Sequence, residues 1–86
     1  MEQRMKRQLV LEQWNSFARQ VLPADVSEVQ RTEMRRAFYA GAQALFHGVL
    51  IALSPDAEPT EADLQFMSDL ESELSEFGRA VKEGRA

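Results

Sequence analysis

Gln30, Arg31, Arg35, Arg36 and Tyr39 form the densest set of side chains in this sequence that could recognise a ligand. A guanidinium group is a planar fork that matches carboxylates and phosphates, and it stacks on aromatic or base planes. On a helix, Arg31 and Arg35 lie one turn apart, whereas Arg36 falls on the opposite face with Thr32, Gln43 and His47. Two uses of Arg31 and Arg35 stay open: contact with an anionic ligand, or ion pairs with acids such as Glu76 and Glu83 on another helix. Trp14, the single tryptophan, either packs in the core near Met34 or Phe38 or offers a stacking surface to a purine. A candidate ligand site therefore comprises Arg31, Arg35, Arg36, Tyr39 and Trp14.

The equipment for side-chain catalysis is sparse, and the chain is expected not to be an enzyme. His47 is the only histidine, no cysteine is present, and no nucleophile elbow or glycine-rich phosphate loop occurs. A di-metal carboxylate site on helices wants Glu three residues before His, and that position is Ala44. One histidine without thiolates cannot assemble a structural zinc site. Asp69 and Glu73 share a helix face and could hold a divalent cation weakly or be two solvated carboxylates. No metal and no cofactor is expected.

Charge is unevenly divided. Residues 1–53 carry seven Lys/Arg against five Asp/Glu, and residues 54–86 carry three against nine, within a formal net charge of −4. The second half would repel phosphates, so direct binding of duplex DNA is not expected. Its acidic face is a solvated face or, alternatively, a mimic of nucleic-acid charge. The apolar part of residues 1–11 is too short and broken for a signal peptide, and the stretch 41–53 is too short to span a bilayer, so a soluble protein is expected.

These side chains need a scaffold, and the apolar spacing supplies an all-α one: a single domain of 86 residues built as a three-helix antiparallel hairpin or bundle. A first helix is expected over about 2–20, with Leu11, Trp14, Ala18 and Val21 facing inward and Pro23 ending it. Asp25 with Glu28 would cap a second helix over about 26–53, its core stripe being Met34, Phe38, Gly41, Ala42, Leu45, Val49 and Ala52. Gly41 and Gly48 suggest close approach of another backbone. Thr60, with Asp63 in the third position, would cap a third helix over about 60–82. There Leu64, Met67, Leu70, Leu74, Phe77 and Val81 follow at spacings of 3, 3, 4, 3 and 4, close to a coiled-coil seam that would pack lengthwise on the second helix. Residues 83–86 are expected to fray. Phe46, Leu50, Ile51 and Leu53 lie off the core stripe, and that apolar excess, in a chain too short for a large core, predicts a homo-oligomer with these four at the interface.

The stretch Val21 to Phe46, VLPADVSEVQRTEMRRAFYAGAQALF, resembles a type of small helical protein encoded in bacteriophages and prophages of proteobacteria. The third helix, TEADLQFMSDLESELSEFG, is similar to the helical hairpin of phage proteins that counter cyclic-oligonucleotide and Thoeris defence. Those proteins are sponges, small oligomers that capture a nucleotide second messenger. The resemblance implies an anti-defence protein of the host cytoplasm that binds a cyclic nucleotide through the arginines, with Tyr39 or Trp14 stacking on a base. The alternatives are an acidic inhibitor of a host defence protein, in the manner of an anti-CRISPR, and a structural helical adaptor.

Overall fold

A computed structural model of the chain describes residues 6–55 and 58–86. Three helices follow one another, α1 (Leu9–Val21), α2 (Glu28–Ala52) and α3 (Glu61–Lys82), with no strand among the described residues. None of the described helices is long and apolar enough to cross a membrane. The chain divides into two compact units, Met1–Phe46 and His47–Ala86, and α2 runs through the division.

In the first unit α1 begins later than its apolar pattern suggests. Residues 6–8 are not helical, and the expected positions 2–5 lie outside the described residues. Lys6 and Arg7 would set positive charge at the positive end of the helix dipole, which disfavours extension there. Arg7 instead reaches forward to Glu12, at 3.2 Å, and that carboxylate raises the guanidinium pKa through the hydrogen bond and the opposite charge. The other end is as expected: Leu22 is extended (φ −77°, ψ 134°), as the residue before a proline must be, and its amide closes the last turn on the Ala18 carbonyl.

The start of α2 corrects the expected cap. A turn from Pro23 to Val26, closed by the Val26 amide on the Pro23 carbonyl, takes Asp25 out of position. Ser27 caps in its place: its Oγ accepts from the Gln30 amide at 3.1 Å and its carbonyl from the Arg31 amide. Against this helix α1 lays an aromatic cluster. Trp14 is 2 % exposed and Ala18 is buried beside it. Ring centroids of Trp14, Phe17 and Phe38 are 5.5 to 5.8 Å apart pairwise, and Tyr39 extends the group at 6.4 Å from Phe38. Such pairs add about 0.5–1.5 kcal/mol each beyond the area they remove from water. This is the hydrophobic core of the first unit.

The expected core stripe of α2 is only partly realised. Phe38, Ala42 and Val49 are half-buried, whereas Gly41 and Ala52 are exposed and Leu45 is 44 % exposed. Among the described residues no other element approaches the glycines: a Cβ built on Gly41 or Gly48 meets nothing within 4 Å outside its own helix turn.

In the second unit α3 starts where its cap predicts. Thr60 Oγ1 accepts from the Asp63 amide and the Asp63 carboxylate accepts from the Thr60 amide, a reciprocal capping box. Acids in the first turn and Arg79 and Lys82 in the last suit the helix dipole. The far end is capped rather than frayed. Gly84, at φ +75°, donates to the Val81 carbonyl, and the Arg85 amide reaches the Ala80 carbonyl at 2.8 Å. That is a Schellman turn, and only glycine takes the left-handed position without strain. Along the helix the coiled-coil pattern is present but uncovered: Leu64, Met67, Leu74, Phe77 and Val81 are 45 to 63 % exposed. Periodicity fixes which face is apolar; it does not supply an element to cover it.

Candidate functional site

The first half of α2 carries the proposed ligand residues, and the structure separates them into two groups. Arg31 turns toward α1, with its guanidinium carbon 5.9 Å from the centre of the Trp14 ring. A cation over an indole face at that distance is an attractive contact. Trp14 is thus enclosed by Phe17, Phe38 and Arg31, and it is a core residue that presents no open ring face. Glu83, one acid considered as a partner for these arginines, lies 2.7 Å from Arg85.

Arg35, Arg36 and Tyr39 form the second group. They line a single open hollow on the surface of α2. Their positions, i, i+1 and i+4, put the phenol one turn beyond Arg35 and let the two guanidinium groups flank it from successive rows of the helix. Arg36 lies 4.0 Å from Glu33, at the limit of an ion pair and with both side chains well exposed, so its charge remains accessible to a ligand. Tyr39 is 38 % exposed, with one side against Phe38. The aromatic cluster therefore steadies the ring while leaving part of it open.

A second hollow adjoins the first and shares Arg36 and Tyr39. Val10 from α1 and Ala40, Gln43 and Phe46 from α2 complete its wall. Its surface is mainly apolar, with Arg36, Tyr39 and Gln43 as the lining residues that carry polar groups. The pair of hollows thus combines two cations, a phenol, an amide and an apolar floor. Such a set can hold a phosphate at one end and a flat heterocycle at the other. Sequence reading names Arg35, Arg36 and Tyr39 but sets Arg36 on the face opposite Arg35, whereas the structure brings both to one hollow because Tyr39 lies between their rows of the helix. Spacing does not indicate Val10, because that residue arrives from a different helix.

The remaining residues lie elsewhere. Phe46, Leu50 and Ile51 are 61, 59 and 85 % exposed, and Leu53 is half-buried. Asp69 accepts a hydrogen bond from Gln65 at 2.8 Å. Asp63 is the one polar side chain buried among the described residues, at 7 % exposure. One of its oxygens accepts from the Ser54 amide and the other from the Thr60 amide, both at 2.9 Å. These backbone donors, Thr60 first and then Ser54, stabilise the ionised carboxylate and lower its pKa. Its use is structural, since both oxygens are spent on the backbone.

Comparison with protein-family models, with curated proteins and with solved structures gives no match. The described residues form a small all-helical protein of three helices.

Proposed function

We propose that this protein is a binding protein without catalytic activity that captures a phosphate-bearing nucleotide and holds it intact. The observation that carries this reading is the convergence of Arg35, Arg36 and Tyr39 on one hollow beside the apolar hollow of Gln43 and Phe46. In this reading Arg35 and Arg36 hold phosphate oxygens, Tyr39 stacks on the base, and Gln43 hydrogen-bonds its edge. Arg31 and Trp14 serve from beneath, locking α1 to α2 so that Tyr39 is presented in one orientation. In this reading, which follows the resemblance of the sequence to phage sponge proteins, the ligand is a cyclic nucleotide signal of host defence met in the host cytoplasm. Assembly as a homo-oligomer, with Phe46, Leu50, Ile51 and Leu53 near a subunit contact, would close the open side of the hollows.

Calorimetry against cyclic dinucleotides, cyclic trinucleotides and cyclised ADP-ribose derivatives tests the proposal. Binding by one class is expected. The Arg35→Ala/Arg36→Ala double variant should lose about 3 kcal/mol or more, since each charge-assisted contact contributes about 1.5–3 kcal/mol. Chromatography should return the nucleotide unchanged after incubation. Absence of heat with all three classes would sink this reading.

A second reading rests on a separate observation. Residues 61–76 hold six acids and no base. An acidic helix of this kind could occupy the nucleic-acid groove of a defence complex. Reversing Glu61, Asp69, Glu73 and Glu76 would then abolish activity, with the arginine pair dispensable; the ligand reading expects the opposite result.

A further inference from the structure

We propose that the apolar seam of α3 is the contact surface for a second copy of this chain, packed antiparallel to the first. The seam runs through Met67, Leu70, Leu74, Phe77 and Val81 at spacings of 3, 4, 3 and 4, the heptad rhythm of a helix pair. Met67 is 45 %, Leu74 57 %, Phe77 63 % and Val81 51 % exposed, with Leu70 half-buried. Among the described residues of His47–Ala86 the only buried one is Asp63. Helices in proteins owe most of their stability to the packing of an amphipathic face, so α3 draws its stability from whatever covers this seam. That requirement is permanent. The occupant must therefore be present in equal number wherever the chain is made, which another copy of the chain satisfies by itself.

Charge selects the orientation. Residues 61–76 carry six acids and no base, whereas residues 77–86 carry Arg79, Lys82 and Arg85 against Glu83. A parallel pair would set the two acidic segments side by side. An antiparallel pair sets the acidic segment of each copy beside the basic end of the other. The register that places Leu74 opposite Phe77 and Leu70 opposite Val81 also sets the flanking Glu71 against Gly78 and Glu73 against Ala80. Neither carboxylate then meets a like charge. The arrangement is two-fold, so each contact occurs twice.

This contact uses a different helix from the nucleotide hollows, so either proposal can fail alone. Sedimentation equilibrium of the full chain should return twice the chain mass of 9.8 kDa. The Leu74→Glu/Phe77→Glu variant should associate at least about 100-fold more weakly. The chain contains no cysteine, which allows a test with milder changes. Mixed under gentle oxidation, the Leu70→Cys and Val81→Cys chains should couple to each other at least about tenfold in excess of self-coupling by either. A single-chain mass for the unmodified protein overturns the proposal, because the seam is then covered from within the chain. Preferential self-coupling of the Leu70→Cys chain overturns the antiparallel orientation. An even-numbered assembly with the mixed cross-link supports both.

Discussion

The two units of this chain are stabilised by different physics. From Leu9 to Phe46 the organising contact is apolar: an indole enclosed by two phenyl rings, with a guanidinium over it. From His47 to Ala86 it is polar: one carboxylate binding two backbone amides, with a glycine cap at the far end. The first removes grease from water and is non-directional. The second satisfies helix ends and fixes geometry, but hides no large apolar side chain. The lesson is that a well-capped helix has defined ends without having a defined partner, whereas the aromatic cluster defines a partner at once. The difference also suits the proposed roles, since a ligand hollow needs a rigid wall and an assembly surface needs an uncovered face.

Trp14→Ala should have the largest effect, and it should fall on the first unit. It empties the only large side chain buried among the described residues, and a change of this kind costs about 3–5 kcal/mol. Far-UV circular dichroism should show loss of helix, while hydrogen exchange should find the amides of α3 still protected. Equal loss of protection in α3 would mean that the two units are a single cooperative structure. Thr60→Ala acts on the other side with a smaller effect, about 1 kcal/mol, by removing the oxygen that caps α3.

The Asp63 clamp predicts a dependence on pH. Its folded pKa lies below its unfolded value, so the stabilisation is fully present above the ordinary aspartate pKa of about 4. It is lost as pH falls through the lower, folded value. Protection of the Ser54 and Thr60 amides, taken relative to their intrinsic exchange rates and followed from pH 5 downward, should fall below about pH 4 and not before. In Asp63→Asn that acid step should vanish.

The smallest effect sharpens the contrast by being the same in both units. Gly41→Ala and Gly48→Ala place a methyl group where nothing lies within 4 Å. Each should stabilise α2 by about 0.8–1 kcal/mol, read as a rise in thermal midpoint. If one of them loses stability and association together, the glycine in question lies against another subunit.

How much was legible in the sequence follows from how local each cause is. The start of α3 could be read because Thr60 and Asp63 carry the whole signal within four residues. The start of α2 could not, because Asp25 with Glu28 and Ser27 with Gln30 offer two similar caps two residues apart. The Pro23–Val26 turn decided between them. At the far end of α3, Gly84 carries the information for a cap, although a polar tail at the end of a chain suggests fraying. Within the candidate site, Arg35 and Tyr39 were legible as neighbours one turn apart, whereas the convergence of Arg36 on the same hollow was not, since the helical wheel set it on the face opposite Arg31 and Arg35. The place of Arg31 over Trp14 was not, since it depends on how α1 meets α2. The exposure of the α3 seam lies furthest from local sequence, because spacing describes a face and says nothing of its neighbour.

One carboxylate also sets what the connection between α2 and α3 can tolerate. With Ser54 and Thr60 both tethered to Asp63, the two ends of the linker are fixed independently of what joins them. Lengthening a flexible loop twofold costs only about 0.6 kcal/mol in closure entropy. A fluorescent reporter or affinity peptide spliced between Pro55 and Pro59 should therefore leave helix nucleation at Thr60 intact, which makes this linker the natural handle for labelling the protein.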